Sequence, residues 1–386
     1  DPDDHQTFSV LQSQCEIIAS EDNKTAMESV EADLVLNPKK FYSFVNNRKS
    51  NGAGVAEHVT LNQTTATTKE GAANLFASYF SSTFSAPGSP DVGPPPANSN
   101  VNSNLDSWDH IDLSLDQVLL KLTQLKTNKC AGPDGLPPAL FKKCAQALAY
   151  PLHLIFSVSL AHGVFPKKWK QAYVTPILKS GSKNLVNNYR PISKISIVSK
   201  LLDSLVADEL FDHFSSHISE NQHGFYRKRS TVTNLIGYTE RVQKCLRSGG
   251  QMDVIFTDFS KAFDKVSHNI LLSKLRDQGI CGTLLIWFES YLKGRTLRVQ
   301  IGDALSIEVD VTSSVVQGSH CGPILFSLFI NDISDILDVE FNSYADDVKI
   351  FCEINSMNDC EKLQRCLERL SKFASDNHLS LNVNKC

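Results

Sequence analysis

A buried strand that ends on a carboxylate is costly to build, and two places in this chain read that way. Val254-Ile255-Phe256-Thr257 is a β-favouring run that stops at Asp258. Further on, residues 341–344 and 348–352 read as the strands of a hairpin with Ala345-Asp346-Asp347 at its bend. Aspartate is disfavoured in strands, and two adjacent carboxylates repel. Taken alone, Asp346-Asp347 reads equally well as a tight turn, which Asp suits. Asp258 changes the balance. If its strand lies beside the hairpin, three carboxylates converge, and they need cations to be tolerated. Magnesium is the natural choice, being hard, oxygen-seeking and usually held by carboxylates plus substrate phosphates. Two such ions about 3.5–4 Å apart stabilise both the attacking and the leaving oxygen of an in-line phosphoryl transfer.

Around these strands the pattern alternates. Ser114 and Gln117 have capping-box spacing and open an apolar stripe of Leu115, Val118, Leu119, Leu122 and Leu125. The loop Cys130-Ala131-Gly132-Pro133-Asp134-Gly135 leads into a helix that runs to about Gly163. Another helix starts near Ser199, with Leu201, Leu202, Leu205, Val206, Leu210 and Phe211 on its buried side. Helical stretches are predicted over 260–277 and 359–376, and a hairpin over 296–301 and 307–311 around Gly302-Asp303. Strands interleaved with helices give an α/β or α+β domain, and α+β is the expectation.

The 386 residues suggest two or three units. Residues 85–107 are rich in Pro, Ser, Asn and Gly, cannot pack a core, and read as a linker. Residues 1–84 lean helical, with a basic-aromatic patch at Asn37-Pro38-Lys39-Lys40-Phe41-Tyr42, and the main domain is expected from 108 onward. Asp1-Pro2-Asp3-Asp4 lacks the apolar stretch of a secretory signal and reads as the middle of a longer chain; Asn384-Lys385-Cys386 likewise reads as cut. No run of 18 apolar residues occurs, so no membrane span is expected. Ten scattered cysteines without a Cys-x-x-Cys pair argue against a zinc knuckle and fit a reducing, intracellular compartment, most of them as buried small hydrophobes. The net charge of −4 speaks against a polyanion partner until its distribution is seen. From Lys126 to Lys200 there are twelve Lys/Arg and one acid, Asp134, so this stretch carries +11 and the rest −15. That polarity is a footprint for nucleic acid, although a solvated basic face would look the same.

The run Phe256-Thr257-Asp258-Phe259-Ser260-Lys261-Ala262-Phe263-Asp264 resembles the first catalytic motif of reverse transcriptases, above all those of jockey-like non-LTR (LINE-type) retrotransposons. Gln317-Gly318-Ser319 with Gly322-Pro323 resembles the next motif, and Tyr344-Ala345-Asp346-Asp347 the third. Residues 126–136, Asn188-Tyr189-Arg190-Pro191-Ile192-Ser193, Asn221-Gln222-His223-Gly224-Phe225 and Arg227-Lys228-Arg229-Ser230 resemble the family's finger segments, in order; residues 37–44 resemble the connector before the polymerase.

The resemblance implies a right hand: fingers and the N-terminal extension over 108–250, palm over 251–386, a reverse transcriptase core over about 160–386, and no thumb before the chain stops. It implies an RNA-directed DNA polymerase that adds dNTPs to a primer 3′-hydroxyl on an RNA template, the primer usually being nicked target DNA. It implies a cytoplasmic ribonucleoprotein and a nuclear site of action. By position, Asp258, Asp346 and Asp347 would ligate two Mg2+ ions, with Mn2+ a possible substitute, and the Phe259 carbonyl would be a further ligand. Phe263 falls where the family places its sugar-discriminating ring, which leaves no room for a 2′-hydroxyl; a plain core phenylalanine is the other reading. Gln317 and Gly318 would line the nucleotide side, glycine allowing close backbone approach. Lys179 and Arg190 match residues that grip the triphosphate, an ordinary surface lysine being the other reading of Lys179. Lys385 matches a lysine that could protonate pyrophosphate. Val316 replaces the family's usual Pro, and His320-Cys321 its apolar pair. A non-catalytic RNA-binding remnant is the competing reading.

Overall fold

The computed structural model describes residues 58–85 and 107–386 throughout, with Val55, Ala56 and scattered helical positions between 10 and 31. Two units result, Asp1–Glu57 and His58–Cys386. Of the first, the described positions are exposed or half-exposed, helical between 10 and 31 and non-helical at Val55 and Ala56. The patch and connector at 37–44, and nearly all of the expected linker, lie outside the described residues.

The second unit opens with a small hairpin, β1 (Val59–Leu61) and β2 (Thr64–Ala66), and helix α1 (Lys69–Ser81). Helices α2 (Leu115–Thr123), α3 (Pro138–Lys143) and α4 (Ala145–Ala161) follow. Strands β3 (Gln171–Leu178) and β4 (Tyr189–Lys194) precede α5 (Ile197–Phe214) and α6 (Thr231–Arg247). Then come β5 (Gln251–Asp258), α7 (His268–Asp277), α8 (Gly282–Leu292), β6 (Arg295–Ile301), β7 (Ala304–Leu305) and β8 (Val309–Val311). The chain continues through α9 (Cys321–Ile330), α10 (Ile333–Ile336), β9 (Glu340–Tyr344), β10 (Asp347–Ile354) and α11 (Met357–Asp376). Helices interleave with largely antiparallel sheets, the mixed α and β content expected.

Local rules account for most of these elements. The Ser114 hydroxyl accepts from Gln117 N at 3.1 Å while Gln117 Oε1 accepts from Ser114 N at 2.8 Å, so the capping box that opens α2 is complete. Val118 and Leu122 of its stripe are buried, whereas Leu115 at the first turn is exposed. Helix α11 buries Leu363, Cys366, Leu370, Phe373 and Ala374, the three-and-four spacing of a single apolar face. The centre of the core is aromatic: Trp287 and Tyr291 stack at 5.4 Å, and Phe165 meets their rings edge-on at 5.5 and 5.1 Å.

Four expectations need correcting. Residues 58–85 are not a region apart from the main domain; they belong to the same compact unit. Helix α1 lies on β6, β7 and β8, with Lys69 paired to Asp303 at 3.0 Å and Asn74 Oδ1 accepting from Ile307 N at 2.9 Å. The predicted helix over 260–277 is a turn-rich loop up to Ser267, whose hydroxyl caps α7. Lys261 sits there at φ 52°, which breaks any helical run. Strands β6 to β8, within the span expected to be palm, share a sheet with β3 and β4 from the span expected to be fingers, β6 pairing in parallel with β3 and antiparallel with β7 and β8, so one sheet crosses the expected boundary at 250. Finally, only Cys245, Cys321 and Cys366 of the nine described cysteines are buried, so most are not core residues. Among the described residues no helix is long and apolar enough to cross a membrane.

Candidate active site

Antiparallel pairing in the three-stranded sheet β5-β10-β9 brings the carboxylates together. Residue for residue, Asp258 at the end of β5 lies opposite Asp347 at the start of β10. Asp347 also pairs with Tyr344, so Ala345 and Asp346 form a two-residue turn, with Ala345 at φ 56°. The Thr257 hydroxyl locks this register by donating to the Val348 carbonyl at 3.0 Å. The apolar runs supply the ladder, and the three acids fall at one end of it; β5 is not the buried strand expected, since Val254 and Ile255 are half-buried and Phe256 is exposed, whereas Val348, Ile350 and Phe351 of β10 are buried.

The electrostatics follow from this crowding. Burial, together with the charge of Asp258, pushes the Asp346 carboxyl up; burial and the charges of Asp346 and Asp258 do the same to Asp347. Asp258 behaves differently. Burial pushes its carboxyl up too, but hydrogen bonds from Lys385 and Asn382 outweigh this and hold it below the ordinary range. Lys385 Nζ donates to Asp258 Oδ2 at 2.6 Å and Asn382 Nδ2 to the same oxygen at 3.1 Å. Lys385 is pushed up in return by that bond. Residues 380–382 run as a short ladder beside the end of β5: Asn382 N donates to the Asp258 carbonyl at 2.8 Å and Ser260 N to the Ser380 carbonyl at 2.7 Å. The ladder thus uses the backbones on either side of Phe259, not the Phe259 carbonyl. Among the described residues, no three His, Cys, Asp or Glu side chains are grouped as a ready metal cage. The cation now on Asp258 is the Lys385 ammonium.

Other expected residues surround the acids. Phe263 is half-buried, stacked on Phe326 at 4.4 Å and touched edge-on by Phe225 at 5.9 Å. The Gln317 carbonyl accepts from Ser193 N of β4 at 3.1 Å, and its amide Nε2 donates to Asp264 Oδ1 at 2.5 Å. Gly318 has φ 110°, and a Cβ there would stand 2.8 Å from the Ser193 carbonyl oxygen, so only glycine fits. Arg190 lies opposite Ile177 in the β3/β4 hairpin, and Lys179 lies just beyond β3, its amide bonded to the Asn188 carbonyl at 2.8 Å. Both side chains are exposed, and the charge of Arg190 is felt at Asp346.

Three residues received no role from the sequence. Gln222 is buried, and its Oε1 accepts from Gly224 N at 2.7 Å and Ala345 N at 2.9 Å, pinning the turn that carries Asp346. Its neighbours extend the sheet, His223 N donating to Ser343 O and Ser343 N to Asn221 O, both at 2.9 Å. Asp203 is fully buried in α5 and accepts from the Tyr291 hydroxyl at 2.8 Å, His320 N at 2.5 Å and Cys321 N at 3.3 Å. The side chains at these polar departures also serve Asp203: His320 Nδ1 lies 3.3 Å from its carboxylate and Cys321 Sγ donates to its backbone carbonyl at 3.2 Å, while the two backbone amides fix the start of α9 on the carboxylate. Asp264 is the third. For Asp203 the available signal was a lone carboxylate among Leu201, Leu202, Leu205 and Val206, since a buried polar residue is the informative exception.

Residues 177–386, more than half of the chain, match the family described as reverse transcriptase (RNA-dependent DNA polymerase). The chain belongs to that family. This reverse transcriptase has the right-hand polymerase fold with mixed α and β content. It is 28% identical over 288 residues to a probable RNA-directed DNA polymerase from transposon BS of Drosophila melanogaster, covering 71% of this chain and 31% of that one. It is 27% identical over 286 residues to the RNA-directed DNA polymerase from mobile element jockey of the same fly, and 28% identical over 287 residues to that of Drosophila funebris, with the same coverage. These similarities make it a jockey-like, non-LTR type of reverse transcriptase. The chain spans about a third of the length of the curated relatives it matches.

Proposed function

We propose that this reverse transcriptase extends a primer 3′-hydroxyl with deoxynucleotides on an RNA template, in nucleotidyl transfer centred on Asp258, Asp346 and Asp347. The observation that carries the reading is the pairing of Asp258 with Asp347 across β5 and β10, one residue from Asp346 in the turn. The site fits hard divalent cations: its donors are carboxylate oxygens, two of the acids are pushed up by burial and one another's charge, and a cationic ammonium already sits on the third. Two Mg2+ ions, with Mn2+ as substitute, held by the three aspartates and the Phe259 carbonyl, would supply the charge that activates the primer hydroxyl and neutralises the leaving pyrophosphate.

The chain's own residues do the remaining work. Arg190 and Lys179, exposed at the end of the β3/β4 hairpin, grip the triphosphate. The Phe263 ring, braced by Phe326, bars a ribose 2′-hydroxyl. Gln317 and Gly318 line the nucleotide against β4. Lys385 stays protonated beside Asp258, the state a proton donor to pyrophosphate requires. The whole protein's partners would be template RNA, target DNA nicked to provide the primer, and dNTPs, within a cytoplasmic ribonucleoprotein that acts in the nucleus. The test is dTTP incorporation on poly(rA)/oligo(dT) with Mg2+ or Mn2+. Incorporation that vanishes in Asp258→Asn and Asp347→Asn is expected. Retained RNA binding without any incorporation would favour an RNA-binding remnant.

A further inference from the structure

We propose that Asp264 is a positioning residue for nucleotide binding: it holds the Gln317 carboxamide with its NH2 turned inward and its oxygen turned toward the incoming nucleotide. The inference rests on the reading of Gln317 as a wall of the nucleotide site. Asp264 directly follows the gate ring Phe263 and is buried. Its backbone is held on two sides, Asp264 N donating to the Lys261 carbonyl at 3.0 Å and the Ser313 hydroxyl to the Asp264 carbonyl at 2.7 Å. Val315 N reaches back to the Phe263 carbonyl at 3.1 Å, so the loop before Gln317 is strapped to the loop that carries Asp264. The Gln317 backbone is fixed separately on β4 through Ser193. The backbone bond leaves the Gln317 side chain free, and the 2.5 Å bond from Nε2 to Asp264 Oδ1 anchors its amide end.

The chemistry makes that orientation one-sided. An ionised carboxylate only accepts, so it can bind the NH2 end of the amide and never the oxygen end. A planar amide with Nε2 turned inward must turn Oε1 away, leaving an acceptor on the opposite side. A protonated or amidated residue at 264 could donate to Oε1 instead and let the amide flip. Asp264 itself does not contact the nucleotide. The cavity behind the pair, lined among others by Thr83, Ser193, Asp264, Arg295 and Gln317, is about 40 Å³, room for a few ordered waters and no more. The groups that face Asp264 are Gln317 after β8, Lys261 on its own turn, Thr83 just after α1, and Arg295 of β6, which lines the same cavity. Thr83 shows why residues 58–85 belong to this unit: they close the far side of the pair.

Burial pushes the Asp264 carboxyl up to about 6, against the opposing bond from Gln317, so the switch titrates within reach of experiment. Two measurements on the full chain test the proposal. The first is dNTP kinetics of Asp264→Ala, Gln317→Ala and the double variant. We expect each single change to raise KM about tenfold, the weight of one charge-assisted hydrogen bond, with little change in kcat. The double variant should be no worse than either single one. Additive effects, or a loss confined to kcat, would overturn the proposal. The second needs no activity: the 15N side-chain NH2 resonance of Gln317, assigned by its loss in Gln317→Ala, followed with pH. It should titrate near 6 in the wild type and stop doing so in Asp264→Asn, a variant of nearly the same size. A resonance indifferent to pH in the wild type would overturn the pairing, whereas absent incorporation with an intact titration would count against the polymerase reading alone.

Discussion

Consider Asp203→Ala. The carboxylate of Asp203 is fully buried in α5 and collects three donors: the Tyr291 hydroxyl, His320 N and Cys321 N. It is also an opposite charge felt by the buried guanidinium of Arg295. Truncation leaves those donors without their acceptor and that guanidinium short of a countercharge. A buried donor left unpaired costs roughly 1–3 kcal/mol, and breaking a buried charged partnership about 3–5 kcal/mol as a whole, so we expect a loss of about 4 kcal/mol. Asp203→Asn keeps one accepting oxygen and should lose about half as much. Against a typical domain stability of about 5–15 kcal/mol, the alanine variant should be close to the edge. The assay is urea denaturation at neutral pH with the slope held to the wild-type value. The sign with pH is fixed as well. Burial pushes the Asp203 carboxyl up, but its bonds, chiefly with His320, hold it below the ordinary carboxylate range. A depressed folded-state value contributes stability that is present above the unfolded value, about 3.9, and lost as pH falls through the lower folded one. The gap between wild type and Asp203→Ala should therefore shrink below about pH 4. A gap under about 1 kcal/mol at neutral pH, or one that widens in acid, would refute the reasoning.

Three further outcomes are expected. Gly318→Ala combines a left-handed backbone with a Cβ 2.8 Å from the Ser193 carbonyl; it should lose about 1–3 kcal/mol by denaturation and raise KM for dNTP by displacing Gln317. Phe263→Ala, by removing the ring stacked on Phe326, should admit ribonucleotides in a primer-extension assay, and unchanged discrimination would show that the ring is only core. RNA binding, followed by fluorescence anisotropy, should weaken steeply with salt because Lys and Arg displace counterions from phosphates. A flat response would dismiss the Lys126–Lys200 surface as the contact face.

What could be read from the sequence was local or periodic. Alternation and apolar runs gave β5, β9 and β10 to within a few residues, and the spacing of Ser114 and Gln117 announced a capping box whose bonds are both formed. The identity of Asp258 and Asp346-Asp347 as strand-end carboxylates was equally legible, because a charged residue interrupting an apolar run has few structural excuses. Only tertiary structure could decide their partners. That Asp258 faces Asp347 is a matter of inter-strand register, which joins residues 89 positions apart and leaves no trace in either segment. The same holds for Gln222 beneath the Ala345 turn, Asp203 under the start of α9, and Asp264 against Gln317: each is a polar side chain whose partner lies far along the chain. The placement of 58–85 against β6, β7 and β8 was hidden for a related reason. A segment of 13 helical residues that buries alanines and the rings of Phe76 and Phe80 on one face records that it must be covered, not by which sheet.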